Sequence, residues 1–338
     1  MRKQRKKEHV EYYLRTTFKG NTLLEDVFLE HNALPNLNFG DIDTSVEFLG
    51  KTIKCPIVIN AMTGGSDFAQ EINRDLATLA KEFKIPMAVG SETIAIDDEE
   101  SRQSFKIVRD IIGRDGIVIS NLSGHATLDE VNLALEIVEG DAIQIHLNPA
   151  QELAMEEGDR NFKGIIDNIK SIIDGVDRPV IVKEVGFGIS KNVAQSLYNI
   201  GVRNIDVSGT GGTNFMEIED IRNVNMDLSD LYGWGIPTAL SLVKCRELPD
   251  DLNLIASGGI RTSMDIVRSI VLGANVAGIS GEILTYLVHG GYDNAKAYLE
   301  GIIHKIKMLM LLLGKENIQE LRKTEYKLTG RLKDLVNN

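Results

Sequence analysis

Asn204-Ile205-Asp206-Val207-Ser208-Gly209-Thr210-Gly211-Gly212-Thr213-Asn214 is the stretch that decides the fold, and residues 253–262 (NLIASGGIRT) and 276–281 (VAGISG) repeat its form. Each is a short apolar run that ends in glycines and hydroxyl residues and leads into a helical pattern. A run of that length reads as a buried strand, and its alternation with helix reads as successive βαβ units. Glycine turns after the last strands of such a chain, opening onto helix N-termini, form a phosphate site. Their backbone N–H groups and the helix dipole both favour an anion.

The same alternation runs back to residue 56. The predicted strands are Ile57–Asn60, Met87–Gly90, Ile117–Ser120, Ala142–His146, Val180–Lys183, Asn204–Val207, Asn253–Ser257 and Val276–Ile279. Helical patterns fill the intervals at Gln70–Phe83, Ser101–Ile112, Leu128–Val138, Gly164–Ile173, Lys191–Ile200, Pro237–Arg246 and Ser263–Leu272, with a last one from near Asn294. Eight near-regular units without a long break predict a single (β/α)8 TIM barrel. Closure removes the edge strands that an open doubly wound sheet would keep. The stripe Ile302, Ile306, Leu309 and Leu313 in the last helix reads as a packing face rather than a membrane anchor.

Residues 51–338 are thus expected to form the barrel, and residues 1–50, which do not share the repeat, an N-terminal extension. Five of its first seven residues are basic, and it continues irregularly through Phe39 to Phe48. By composition alone the basic start is a solvated tail; the alternative is a cationic arm over the barrel mouth.

At 43% hydrophobic and 25% charged residues, the 338-residue chain has the make-up of a soluble globular protein with a continuous core. A net charge of −12 argues against nucleic-acid and anionic-membrane partners, which need a cationic field. Cys55 and Cys245 are far apart and lack zinc-ligand spacing, so neither a disulfide framework nor a zinc site is expected. The charged N-terminus has no apolar leader, and no apolar run reaches the roughly 18 residues of a membrane span, which together predict a cytoplasmic protein.

In a (β/α)8 barrel the chemistry sits where each strand ends. The first strand ends in Asn60-Ala61-Met62-Thr63-Gly64-Gly65, where small residues admit a planar ligand or a phosphate to the backbone. The fifth ends in Lys183-Glu184-Val185-Gly186-Phe187-Gly188, and a lysine at a barrel mouth calls for an anion or an electron-rich ring. Schiff-base chemistry and charge stabilisation on a reduced flavin are both open to it. The fourth ends in Gln144-Ile145-His146-Leu147-Asn148-Pro149-Ala150-Gln151-Glu152, which gathers an imidazole, amides and a carboxylate suited to Mg²⁺. Ser91-Glu92-Thr93 and Ser120-Asn121 end the second and third strands in hydrogen-bonding groups.

Taken in order, Arg5-Lys6-Lys7-Glu8-His9, the first-strand ending, Gln144-Ile145-His146-Leu147-Asn148 with Gln151-Glu152, the fifth-strand ending and Ser208-Gly209-Thr210-Gly211-Gly212-Thr213 resemble the type 2 isopentenyl-diphosphate isomerases along nearly the whole chain. The resemblance implies an FMN enzyme, active with reduced flavin, Mg²⁺ and NAD(P)H as reductant, that interconverts isopentenyl and dimethylallyl diphosphate. It further implies that Ala61, Met62, Thr63, Ser91, Asn121, Lys183, Ser208 and Thr213 hold the flavin. The flavin phosphate falls to Gly258, Gly259, Ile260, Arg261, Ser280 and Gly281. The small-molecule diphosphate falls to Arg5, Lys6, His9, Ser91, Thr93, His146, Asn148 and Gln151. Glu152 is implied as the metal ligand, Gln151, His146 and Lys183 as the catalytic group, and a homotetramer or homo-octamer as the assembly. One departure is visible. Many members have Ser-Gln-Arg where this chain has Ser91-Glu92-Thr93, which places a negative charge in the expected vicinity of the diphosphate.

Two other functions fit the pattern less well. FMN-dependent 2-hydroxy-acid oxidases resemble the seventh-strand turn but carry His-Gly-Gly-Arg where this chain has Thr210-Gly211-Gly212-Thr213, and so have a base that is missing here. A phosphate-metabolite-binding or scaffolding barrel with a nucleic-acid-gripping arm predicts basic and aromatic residues beyond the arm, but the rest of the chain is acidic.

Overall fold

The computed structural model describes residues 2–18, 20–223 and 227–337, with side chains from Glu8 onward. Before the barrel come helix α1 (Arg2–Tyr13), strand β1 (Val27–Leu29) and a hairpin of β2 (Val46–Phe48) and β3 (Lys51–Ile53). The eight predicted strands are β4 (Ile57–Ile59), β5 (Met87–Ala88), β6 (Val118–Ser123), β7 (Ala142–Leu147), β8 (Val180–Glu184), β9 (Asn204–Asp206), β10 (Asn253–Ala256) and β11 (Val276–Ile279). They form one closed parallel barrel in chain order. Closure is made between β11 and β4, with Ala277 opposite Ile57 and Ile279 opposite Ile59.

Continuous apolar character is what a strand covered on both faces requires. Ile57, Ile59, Ile119, Ile143, Ile145, Ile181 and Ile205 are fully buried, each such side chain adding about 1.5–3 kcal/mol of transfer free energy. Between the strands run α2 (Asp67–Phe83), α3 (Thr93–Asp97), α4 (Gln103–Ile112), α5 (Leu128–Ile137), α6 (Pro149–Ala154), α7 (Ile165–Gly175), α8 (Lys191–Asn199), α9 (Phe215–Arg222), α10 (Thr238–Cys245) and α11 (Ser263–Val271). Their starts follow from side-chain caps: Ser66, Thr127, Ser190, Asn214 and Thr262 each accept a backbone N–H from the first turn.

The last long helical stretch, α12 (Gly281–Leu312), is two helices joined at Gly291, the second of them starting close to the predicted Asn294. Gly291 has a non-helical φ of 73° and ψ of −175°, which only glycine adopts at low cost, so it separates the two helices. Two expectations need correction. The predicted segment Ser101–Ile112 is a 3₁₀ turn (Glu99–Arg102) followed by α4. The irregular stretch from Phe39 to Phe48 contains a 3₁₀ turn and β2, which pairs antiparallel with β3. In α12, Ile302, Ile306 and Met310 are buried against the barrel, and no described helix is long and apolar enough to cross a membrane.

The two ends of the chain meet. After α13 (Ile318–Leu321), strand β12 (Tyr326–Leu328) pairs antiparallel with β1, and α14 (Gly330–Asn337) follows. Backbone bonds run from Asn32 N to Leu312 O at 2.8 Å and from Thr329 N to Asp26 O at 2.9 Å. The extension is also tied to the barrel: Ala239 N donates to Thr22 O at 3.0 Å, and Leu23, Leu24 and Val27 join the main core.

Candidate active site

A layer of polar side chains closes the C-terminal end of the barrel interior. Asn60, Asn121, Gln144, Lys183, Asp206 and Ser257 are all buried. Gln144 Nε2 donates to Asn60 Oδ1 at 2.8 Å although β7 and β4 are not neighbours, and Asn60 Nδ2 donates to Asp206 Oδ2 at 2.7 Å although β4 and β9 are not neighbours. Such contacts are possible only across the inside of the barrel. Lys183 is paired with Asp206 at 3.2 Å and donates to Ser257 Oγ at 3.3 Å, and Ser257 donates to Asp206 Oδ1 at 2.6 Å. A fully buried carboxylate therefore meets the buried ammonium, as burial of either charge demands.

At the rim, His146 Nδ1 lies 2.9 Å from Asn121 Oδ1, and Asn121 Nδ2 donates to Gln144 Oε1 at 3.0 Å. Two residues on, Asn148 begins α6, with Pro149 in the first turn, where a missing N–H costs nothing. Asn148 Nδ2 donates to Glu152 Oε1 at 2.8 Å and lies 3.4 Å from Gln151 Oε1. Glu152 also accepts from Asp159 N at 2.9 Å. The structure thus brings His146, Asn148, Gln151 and Glu152 to one edge of the mouth and Lys183 to its floor. Among the described residues no three His, Cys, Asp or Glu side chains cluster as a metal site, so a cation at Glu152 would need oxygens other than those of a carboxylate cluster.

Glu184, next to Lys183, is turned away from the mouth. Its Oε2 accepts from the N–H groups of Val185 and Gly186 at 2.7 Å, of Gly188 at 3.2 Å and of Phe187, so it organises the turn after β8. Burial pushes its carboxyl up to about 7, against the pull of those amides and of Lys183. Glu92 is also turned inward. It is fully buried, accepts from Asn121 N at 2.9 Å and from the Ser120 hydroxyl, and leaves Ser91 and Thr93 hydroxyls 2.9 Å apart at the rim. The backbone explains this: Glu92 N donates to Asn121 O, fixing the residue against β6.

The late glycine turns pack backbone against backbone. A Cβ on Gly258 would sit 2.1 Å from Gly209 O, and one on Gly212 would sit 2.5 Å from Gly259 N. Gly258 and Gly259 have φ of 89° and 81°, which glycine tolerates. The N–H of Arg261 is taken by Asp265 at 3.1 Å, but those of Gly259 and Ile260 have no acceptor among the described residues. Ser280 and Gly281 open α12 beside them. Ala61 and Met62 are half-buried and Thr63 is buried. Ser208 is buried in an uncommon left-handed conformation (φ 35°), and Thr213 is half-buried on the neighbouring turn. Arg261 is exposed and ion-paired with Glu282 at 3.7 Å.

The basic N-terminus is helical along Arg2–Tyr13 in place of a tail. The side chains of Arg5 and Lys6 lie outside the described residues. His9 Nε2 hydrogen-bonds at 3.0 Å to Glu219 of α9, which is almost wholly buried. Arg222, one turn on, pairs with Glu8 at 3.4 Å, with Glu157 at 2.9 Å and with Glu219. Sequence reasoning missed this clasp, and it also missed Asn60, Gln144, Asp206 and Ser257.

A closed parallel barrel of this kind is shared with solved flavoenzymes. A mandelate oxidase with a monooxide FMN adduct aligns at a TM-score of 0.66 with 18% identity, covering 91% of this chain and 90% of that one. A flavocytochrome b2 with pyruvate bound aligns at 0.68 with 17% identity, covering 93% and 78%. At such identities the likeness is one of fold. The sequence profile of the FMN-dependent dehydrogenase family matches residues 142–328, from β7 to β12, which sets the class as an FMN-dependent dehydrogenase barrel. Within that class the chain belongs to the isopentenyl-diphosphate delta-isomerase family. It is 43% identical to the Bacillus pumilus isopentenyl-diphosphate delta-isomerase over 97% of this chain and 92% of that one, and 40% identical to the Staphylococcus epidermidis protein of that name over 99% and 96%.

The residues present fit FMN. The glycine cradle with the N–H groups of Gly259 and Ile260 suits its phosphate, and the buried Lys183 ammonium suits the electron-rich edge of its ring.

Proposed function

We propose that this chain interconverts isopentenyl and dimethylallyl diphosphate with reduced FMN, using Mg²⁺ at Glu152 and NAD(P)H as the source of reducing equivalents. Family membership over nearly the full chain supports the reaction, and one observation supports its chemistry. Moving a double bond needs a proton added at one carbon and removed from another. The buried carboxylates near the mouth are already engaged: Asp206 by Lys183, Glu184 by the turn amides and Glu92 by Ser120 and Asn121. When bound, FMN supplies that proton exchange from its own ring atoms.

The chain's residues then orient and shield. Lys183 holds charge at the floor, with Asp206 keeping it aimed. Gln151, buried at the rim, positions the hydrocarbon end of the substrate, an amide being a poor base. His146 and Asn148 hold the diphosphate, and Glu152 holds its cation with phosphate oxygens and water completing the shell. Arg5, Lys6 and His9 of the basic arm would add positive charge toward the same anion, against a chain that is otherwise acidic. The test is the visible spectrum of the purified protein, followed by anaerobic reduction and an isomerisation assay with and without Mg²⁺. Colourless protein without FMN would overturn the proposal at its root, and Gln151→Asn with full turnover would remove the role given to Gln151.

A further inference from the structure

We infer that Asp206 is a positioning residue that sets the tautomer of His146 from the opposite side of the barrel, through a one-way chain of three side-chain amides. A primary amide has one donor end and one acceptor end, so a row of them has a direction, and turning one requires turning all. Here the row runs His146 Nδ1 to Asn121 Oδ1 (2.9 Å), Asn121 Nδ2 to Gln144 Oε1 (3.0 Å), Gln144 Nε2 to Asn60 Oδ1 (2.8 Å) and Asn60 Nδ2 to Asp206 Oδ2 (2.7 Å).

Two fixed groups dictate the sense, and they agree. Asp206, ion-paired with Lys183 and accepting from Ser257, offers Asn60 only an acceptor. The backbone N–H of Ala61 offers Asn60 Oδ1 only a donor, at 3.0 Å. Asn60 is therefore held with its oxygen toward Gln144 and its nitrogen toward Asp206. Each later amide inherits that sense, because a reversed one would set donor against donor and acceptor against acceptor in a layer closed to water. Asn60 and Asp206 are fully buried, and Gln144 and Asn121 nearly so.

At the end of the row Asn121 can present only its oxygen, so Nδ1 of His146 carries a proton. In the neutral ring the lone pair is then on Nε2, the tautomer opposite to the one that free histidine favours. The partner on one ring nitrogen decides what the other can do. Nε2 is thus the atom through which His146 exchanges a proton with whatever it meets. That this is a substrate phosphate rests on the function proposed above; the tautomer itself does not.

The experiment is nitrogen-15 magic-angle-spinning NMR of the FMN-loaded protein labelled at its histidine rings, six in the chain. The spectrum is taken at a pH where the ring is neutral, and His146 is assigned by loss of its signals in His146→Asn. The expected result is a pyrrole-type Nδ1 and a pyridine-type Nε2. Gln144→Leu removes the middle of the row and leaves Asp206 with Lys183 and Ser257; it should turn the single tautomer into a mixture richer in the Nε2–H form. A native ring protonated at Nε2 overturns the inference without any variant. So does an unchanged Nδ1–H form in Gln144→Leu, or in Asp206→Asn should Gln144→Leu not fold. The expected tautomer in a protein without isomerase activity would sink the proposed function and leave this inference standing. The opposite tautomer in an active enzyme would do the reverse.

Discussion

The buried pair of Lys183 and Asp206 gives a test of the site that does not depend on turnover. At 3.2 Å and an effective dielectric of about 20, their attraction is about 5 kcal/mol before desolvation. Replacing Lys183 by methionine keeps most of the side-chain volume but leaves a fully buried carboxylate without its cation. Breaking such a pair costs about 3–5 kcal/mol. Asp206 retains Asn60 at 2.7 Å, Ser257 at 2.6 Å and the N–H of Ser208 at 3.3 Å, which places the cost at the low end, about 3 kcal/mol. For a chain of 338 residues that lowers the thermal midpoint by roughly 4 °C. In an Asp206→Asn background no charge is left behind, and Lys183→Met should then lose only about 1 kcal/mol, a coupling of about 2 kcal/mol. The assay is thermal unfolding followed by circular dichroism on the FMN-free protein for all four members of the cycle, so that cofactor binding does not add to the stability measured. A single Lys183→Met variant that melts with the unaltered protein, or one that loses as much in the Asp206→Asn background, would refute this account of how the lysine is held.

Glu184 makes stability depend on pH. Its folded-state value of about 7 lies above its ordinary 4.5, so the native state is favoured fully below about pH 4.5 and loses up to about 3 kcal/mol as pH rises through 7. Glu184→Gln should remove that part of the slope in chemical unfolding between pH 5 and pH 8, and identical slopes would dismiss it. Gly258→Ala combines a φ of 89° with a Cβ 2.1 Å from Gly209 O; about 3 kcal/mol of destabilisation and loss of bound FMN are expected, read by flavin absorbance after gel filtration. Arg222→Ala should release Glu8 and Glu219 and loosen the arm, raising the substrate KM several-fold while FMN affinity is unchanged; deletion of residues 1–9 should act alike. An unaltered KM in both would return the arm to a passive role.

The barrel could be read from the sequence because its strands are covered on both faces. Runs such as Ile57-Val58-Ile59 and Val180-Ile181-Val182 have no reason to alternate, and the glycine turns mark where each ends. The same rule hid the polar layer. Gln144 in Ala142-Ile143-Gln144-Ile145 and Asp206 after Ile205 are single polar residues in apolar runs, a signal that says they are buried with partners without saying which. Partners of Asn60 on β7 and β9 come from closure, which joins residues 84 and 146 positions apart. The clasp on α9 was out of reach for a related reason: Glu219 and Arg222 look like an ordinary solvated helix face until α1 is laid on it. The direction of the Glu92 side chain was not legible because it depends on the backbone bond from Glu92 N to Asn121 O.

The pairing of β1 with β12 joins residues near the start of the chain to residues near its finish, and this sets an order of assembly. A ribosome releases Leu29 roughly 300 residues before Tyr326, a gap of about 15–60 s at ordinary elongation rates. During that interval β1 is an open strand edge. The arm can dock on α9 once that helix has been made, but β1 stays unpaired until β12 follows. Removal of residues 327–338 would keep every barrel strand and still take away the pairing partner of β1.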